Sequence, residues 1–156
     1  MTDSSSLESI LGTLKFFHYG IVVRDMEKSI SFYEKQGIGP FKPFHLHMKD
    51  RQIYGIPVND IKNKSMLARI GNSGLGIELI QPISGDSHQS RFLNAHGEGI
   101  HHIAFLADDR DRPKTELQKF GFELIQRTEY AEGGGSIYMK AGDVVIEIAQ
   151  WPSLPY

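Results

Sequence analysis

Two histidines and two glutamates recur at matched places in this chain. His18 opens "HYGIVVRD" and His102 opens "HIAFLADD", and each leads through an apolar run to an aspartate, Asp25 or Asp109, at a common offset of 84 residues. Glu78 and Glu147 recur in the same way within "IELIQP" and "IEIAQWP", each with an apolar residue on either side. A carboxylate in the middle of such a strand is costly to bury unless an opposite charge offsets it. Two imidazoles and two carboxylates suit a borderline or hard divalent cation, with water or substrate completing the coordination. The chain has no cysteine, which excludes a thiolate site, a disulfide framework and a cysteine nucleophile, so any metal must be held by nitrogen and oxygen.

Side chains alternate along a strand, so His18 shares a face with Gly20 and Val22, while Tyr19, Ile21 and Val23 point the other way. His102 likewise shares a face with Ala104, and Ile103 and Phe105 pack oppositely. Two copies related by a pseudo-twofold axis then bring His18, Glu78, His102 and Glu147 to one centre. His101 is out of register with His18 and is expected on the opposite side. His45 and His47 also share a strand face, but they have no carboxylate in their own segment and no counterpart in the second copy. They read as substrate-side or surface residues. His88 and His96 fall in the linker between the copies and carry less weight.

The elements that position these residues follow from the same repeat. In the first copy Asp25 can cap a helix with Met26, Ile30 and Tyr33 on one face, and Gly37 suits its left-handed end. In the second, Pro113 falls in the first turn, Leu117 and Phe120 point inward and Gly121 is the stop. Each copy reads as strand, helix, then three strands, with "FELIQRT", "GSIYMKA" and "DVVIEIAQ" ending the second. The glutamates are offset by only 69, so the first copy is longer by 15 residues. The extra length is expected between Phe44 and Lys64, where glycine, proline and charges without clear periodicity read largely as a mobile loop. The linker "GDSHQSRFLNAHGEG" is expected to hold a short helix around Ser90 to Ala95. "EGGGS", Glu132 to Ser136, lacks the lysine and the strand-to-helix setting of a phosphate loop. It reads as a flexible hairpin whose glycines let a ligand approach closely.

With 156 residues, 40% of them hydrophobic, the chain can bury one ordinary core, so a single domain over 1–156 is expected. A net charge of −2 argues against a nucleic-acid groove or an anionic membrane as the main partner. A small neutral or anionic ligand is easier to accommodate. No apolar run approaches the roughly 20 residues of a spanning helix, and no signal pattern opens the chain, so a cytoplasmic location is expected. Met1 to Ser6 reads as a frayed polar end.

With "HYGIVV", "IELIQP", "HHIAFLADD" and "VVIEIAQWP" as its markers, the duplicated pattern resembles the vicinal oxygen chelate superfamily from about Phe16 to Trp151. That superfamily includes glyoxalase I, methylmalonyl-CoA epimerase, extradiol dioxygenases and bleomycin-resistance proteins. The resemblance implies an α+β fold in which two tandem βαβββ modules form a cupped, barrel-like mixed sheet with helices on the outside. The modules cover about 14–82 and 99–152, with a linker at about 83–98. It also implies that His18, Glu78, His102 and Glu147 hold a divalent ion of the cobalt, nickel, manganese or zinc kind. Iron dioxygenases of the family generally use two histidines and one carboxylate, so a fourth ligand at Glu78 argues against them. Bleomycin-resistance proteins usually lack the metal residues.

The linker "GDSHQSRFLNAHGEGIHHIAF" looks most like the epimerase branch. The implied activity is that of a metal-dependent isomerase of the methylmalonyl-CoA epimerase type, moving a proton alpha to a thioester carbonyl through an enediolate, with Glu147 and Glu78 as catalytic residues. The alternatives are glyoxalase I, which is a lactoylglutathione lyase, and a non-catalytic small-molecule-binding protein. The implied partners are an acyl-CoA or glutathione thioester and a second copy of the chain in a homodimer. One departure stands out: bacterial epimerases carry an acidic residue on the strand before the first carboxylate ligand, and nothing from Ile61 to Ile77 is acidic. That stretch offers Lys62, Lys64 and Arg69 instead, as attractors for a substrate carboxylate or CoA phosphates, or as a solvated face.

Overall fold

Parallel pairing of the first and last strand of each copy, with antiparallel pairing between the two first strands, makes the centre of the fold. The computed structural model describes Ile10 and residues 12–156, and the serine-rich start, Met1 to Ser6, lies outside them. Strand β1 (Lys15–Val22) runs parallel to β6 (Gly76–Ser84) and antiparallel to β7 (Gly99–Leu106), which runs parallel to β10 (Val144–Gln150). Beyond β6 lie β5 (Lys62–Arg69) and the short β2 (Lys42–Pro43). Beyond β10 lie β9 (Gly135–Ala141), β8 (Glu123–Tyr130), β3 (Met48–Ile53) and β4 (Ile56–Pro57). The outcome is the expected α+β architecture, a mixed ten-stranded sheet curled into a half-barrel, accompanied by the helices α1 (Met26–Glu34), α2 (His88–His96) and α3 (Asp111–Lys119).

The helices form where caps and apolar spacing agree. Asp25 is extended and accepts the Lys28 amide at 3.1 Å, opening α1. That helix lays Met26, Ile30 and Tyr33 on Ile77 and Leu79, and Gly37 past its end has φ +84°. Leu117 of α3 packs on Ile137, Met139, Ile146 and Ile148, and Gly121 follows with φ +87°. Leu79 and Leu117 are fully buried, and each such side chain contributes about 1.5–3 kcal/mol. Since Ile77, Leu79, Ile146 and Ile148 face the helices, Glu78 and Glu147 between them must face the concave side. Helix α2 starts two residues before the expected Ser90, because Ser87 caps it in a reciprocal pair with Ser90. No helix among the described residues is long and apolar enough to cross a membrane.

The segment between Phe44 and Lys64 corrects the sequence reading. Instead of a mobile loop it contains the hairpin of β3 and β4, and β3 pairs with β8 of the other copy, adding to the far side of the sheet. Tyr54 and Gly55, at φ +49° and +76°, make the two-residue turn between the paired Ile53 and Ile56. The strand was hidden in the sequence because its inward face is polar, with Arg51 opposite Thr128, so no apolar alternation marks it. The glycines of "EGGGS" lie in a hairpin, as expected. They span the β8–β9 connection and the start of β9, and the chain itself approaches two of them: a Cβ at Gly135 would stand 1.5 Å from Nη1 of Arg110, and one at Gly134 would stand 2.0 Å from the Gln150 carbonyl oxygen, whereas Gly133 is open.

Candidate metal centre

Register across four central strands brings the recurrent residues together. His18 lies opposite Ala104 and Gly20 opposite His102, so each imidazole faces the small residue of the other copy. On the outer flanks Glu78 lies beside Gly20, and Glu147 beside Ala104. A β-bulge interrupts the β1–β7 ladder at Phe17 and another at His101, the residue before each histidine. Bulges commonly re-aim side chains beside functional sites. Here they give the neighbours of the two histidines different uses. Phe17 packs against Trp151 to close one end of the cup, whereas His101 sits under α2 against Phe92.

All four side chains are buried, and one ligating atom from each lies within 4.8 Å of the others. Nε2 of His18 is 3.0 Å from Oε2 of Glu78 and 3.2 Å from Oε2 of Glu147. Nε2 of His102 is 3.1 Å from Oε2 of Glu147, 3.6 Å from Oε2 of Glu78 and 3.3 Å from Nε2 of His18. Ligand bonds of about 2.1 Å place neighbouring donor atoms about 3.0 Å apart in an octahedral shell and about 3.4 Å apart in a tetrahedral one. The observed spacings bracket those values. Both Oε2 atoms are also buried, with no hydrogen-bond partner among the described residues besides these imidazoles. This donor set can hold a divalent cation.

Without a cation, the imidazoles take its electrostatic place. Burial lowers the pKa of His18, but the carboxylates of Glu147 and Glu78 outweigh it and raise that pKa to about 9. Burial likewise disfavours protonated His102, and the same carboxylates reverse the effect. Burial favours a neutral carboxyl at Glu147 and Glu78, yet the two histidines hold both below the usual carboxylate range.

Behind His102 runs a chain of hydrogen bonds that the sequence did not suggest. Nδ1 of His102 is 3.0 Å from Nδ1 of His101, whose Nε2 is 3.1 Å from Nδ1 of His88. Nε2 of His88 meets Oε1 of Gln126 at 3.0 Å, and Gln126 donates to Thr128 at 3.1 Å. If Nε2 of His102 is left bare to face the cluster, one direction of donation satisfies every link: His102 to His101, His101 to His88, His88 to Gln126. Burial pushes His101 down to about 2 and His88 to about 3, so both stay neutral, as that direction needs. His101 thus remains outside the cluster, as expected, but orients its ligand-like neighbour. The bulge at His101 is what lets two successive rings touch.

Glu78 and Glu147 of the cluster line a cup of about 160 Å³ whose other walls are mostly polar side chains, including Arg51, Asn63, Gln89, Thr128 and Tyr138. Tyr138 packs edge-on to His102 with ring centroids 5.0 Å apart, and burial holds its phenol well above the usual value. The other singled-out residues lie elsewhere. His45 and His47 fall outside the strands; His45 meets Ser153 at 2.8 Å and the exposed His47 pairs with Glu132. His96 is exposed on α2. Lys64 is exposed and pairs with Glu27 at 3.1 Å, Arg69 stacks over the Tyr156 ring, and Lys62 is exposed, so none of the three lines the cup. The cup's cation is Arg51, which the loop reading concealed. A usable signal was the alternation of Asn63 with Ser65 and of Gln126 with Thr128 and Tyr130, a polar period of two pointing inward.

Comparison with known proteins bears on the family and the fold. A model of the Glyoxalase/Bleomycin resistance protein/Dioxygenase superfamily matches residues 17–139. The uncharacterized protein YwbC of Bacillus subtilis (strain 168) is 30% identical over 128 residues, which are 81% of this chain and 88% of that protein. Among solved structures, hypothetical protein BH1468 from Bacillus halodurans C-125 matches with a TM-score of 0.65 at 26% identity, covering 91% of this chain and 97% of that one. A variant of Streptomyces coelicolor methylmalonyl-CoA epimerase, solved in complex with 2-nitronate-propionyl-CoA, matches at 0.63 and 22% identity, over 92% and 99% of the respective chains.

Proposed function

The chain belongs to the glyoxalase/bleomycin resistance protein/dioxygenase superfamily, the vicinal oxygen chelate group, and on that premise we propose that it is a metal-dependent enzyme of the methylmalonyl-CoA epimerase type acting on an acyl thioester. The observation that carries this reading is the meeting of four buried donors, spaced as a coordination shell requires, two of which, Glu78 and Glu147, line a polar cup. His18, Glu78, His102 and Glu147 would hold a divalent cation, which when bound would supply Lewis acidity toward a carbonyl oxygen and so make the adjacent C–H more acidic.

The chain's own side chains do the rest. Glu78 and Glu147 are the only carboxylates that line the cup among the described residues, so the proton taken from the alpha carbon goes to an Oε atom of one of them. The repeat relates these two glutamates by a pseudo-twofold, with Glu78 beside Gly20 and Glu147 beside Ala104. One carboxylate takes the proton and the other returns it to the opposite face, which inverts the centre. That division of labour also answers the missing acid on β5: the second base is already in the cluster. Tyr138 stays a neutral phenol and can donate to a substrate oxygen. Trp151, packed on Phe17 and Phe44, helps close the cup against water.

Incubating the metal-loaded protein with methylmalonyl-CoA in deuterated water tests the activity. Deuterium at the alpha carbon together with interconversion of the two epimers is expected. Formation of lactoylglutathione from methylglyoxal and glutathione, with no exchange into the thioester, would move the assignment to glyoxalase chemistry.

Two further outcomes follow from the cluster. Binding a cation must displace the proton that His18 carries below about pH 9, so affinity falls as pH falls, by at least about tenfold per pH unit between pH 6 and 8 for one proton displaced. Chelator competition across that range measures it, and a flat profile would contradict the protonated cluster. Replacing His101 by Phe keeps an aromatic ring against Phe92 and Tyr138 but removes the acceptor for His102. Metal affinity should weaken by about 10–100-fold, as for other outer-shell partners of a ligating histidine, and an unchanged value would show that the hydrogen-bond chain does not orient His102.

A further inference from the structure

The cup contains polar atoms that the cluster does not use. Arg51 is half-buried in its wall, held by one bond from Nη1 to the Ile61 carbonyl oxygen at 3.0 Å, and its buried Nε has no partner. No carboxylate pairs with Arg51 among the described residues, although every other arginine lining or bordering the sheet's far side, Arg110 and Arg127, has one. Oε1 of Gln89 and Oδ1 of Asn63 are likewise buried without partners, and both residues line the same cavity. Gln89 is only 3% exposed. Buried polar groups are normally satisfied, and a partly buried guanidinium without a counter-ion is unfavourable. Three such groups around one small space point to a ligand that satisfies them.

We infer that the cup takes an acyl head bearing a free carboxylate, received by Arg51, and a hydroxyl-class substituent, received by Asn63 and Gln89. Guanidinium and carboxylate match as a planar fork, and a ligand anion is the counter-ion that Arg51 otherwise lacks. A hydroxyl has one proton, which it can donate to one of the two amide oxygens while its own oxygen accepts from the other side chain's NH2, whereas an alkyl substituent would leave these polar atoms unpaired. The cup is small, about 160 Å³. It holds a head of a few carbons, and the carrier of a thioester must extend outside. This inference rests on the proposed thioester reading for the carrier, but not for the head.

Trp151 is the chain's only tryptophan and lines the cup, so its fluorescence reports entry of a ligand without any activity assay. The titrants are hydroxymalonate, malonate, methylmalonate and the neutral malonamide, added to the protein as purified and again after chelator treatment. Hydroxymalonate should bind tightest, methylmalonate more weakly, and malonamide weakest. In both preparations Arg51→Gln should weaken the acids about 30-fold or more, while Arg51→Lys, which keeps the charge but not the fork, falls between. Equal binding of malonamide, equal competition by inorganic phosphate, or unchanged affinity in Arg51→Gln of unaltered melting temperature would overturn the carboxylate assignment. Tighter binding of methylmalonate than hydroxymalonate would overturn the hydroxyl. Binding that vanishes on chelation in parent and variant alike would place the anion on the metal rather than on Arg51. Failure of the epimerase assay leaves all these readings intact, so the two conclusions fail separately.

Discussion

Glu147→Gln is expected to uncouple the cluster from its cation while the fold persists. The amide keeps the shape of the carboxylate but loses its charge, so one of four donors becomes weak and the net charge of the site rises by one. Outer-shell changes alone typically cost 10–100-fold in metal affinity, so loss of a ligand should cost about 100-fold or more. Thermal stability reports this without a substrate. At a metal concentration 100 times the parent dissociation constant, binding stabilises the folded protein by about 2.7 kcal/mol, and a 100-fold weaker variant retains only about 0.4 kcal/mol of that. Epimerisation should fall further, because a general base alone is worth about 10²–10⁴ in rate. Melting curves with and without added metal check the first effect, and exchange of the alpha proton checks the second. A variant that keeps the parent's metal-dependent shift would remove Glu147 from the cluster.

Gly20→Ala is expected to do comparable damage from a residue with no functional group. A Cβ built at Gly20 would lie 1.9 Å from Cε1 of His102 and 2.3 Å from both of its ring nitrogens. The backbone there is extended, so the obstacle is the ring and not the conformation. His102 must swing away, which separates Nε2 from Glu147 and Nδ1 from His101 at once. Overpacking of this kind typically costs about 1–3 kcal/mol of stability, and the displaced ligand should lower metal affinity by at least about 10–100-fold. The contrast with the other copy is instructive: Ala104 occupies the matching place beside His18 and is fully buried without conflict. Calorimetric titration of the variant with the metal decides the matter, and parent-like affinity would mean that His102 does not lie over Gly20.

His18, Glu78, His102 and Glu147 were legible because a repeat makes register visible: two histidines at one offset and two glutamates at another can only coincide in a duplicated sheet. The helices were legible for local reasons, Asp25 as cap and Gly37 and Gly121 as stops. What stayed hidden depends on pairing between distant segments. A bulge is a property of two strands together, so neither Phe17 nor His101 announced one, and strict alternation gave no hint that His101 touches His102. The hairpin of β3 and β4 escaped because its inner face serves a polar cup rather than an apolar core, and Arg51 escaped with it. His88 looked like a linker residue because only the start of α2 brings it beneath Tyr138 and against Gln126.

The central claim, that these four side chains together bind one divalent ion, is tested most directly by titrating metal-stripped protein with cobalt(II) and following its visible absorption. Saturation at one ion per chain, lost when His18 and His102 are both replaced by alanine, is the expected result. No stoichiometric binding, or binding that survives the double replacement, would contradict it.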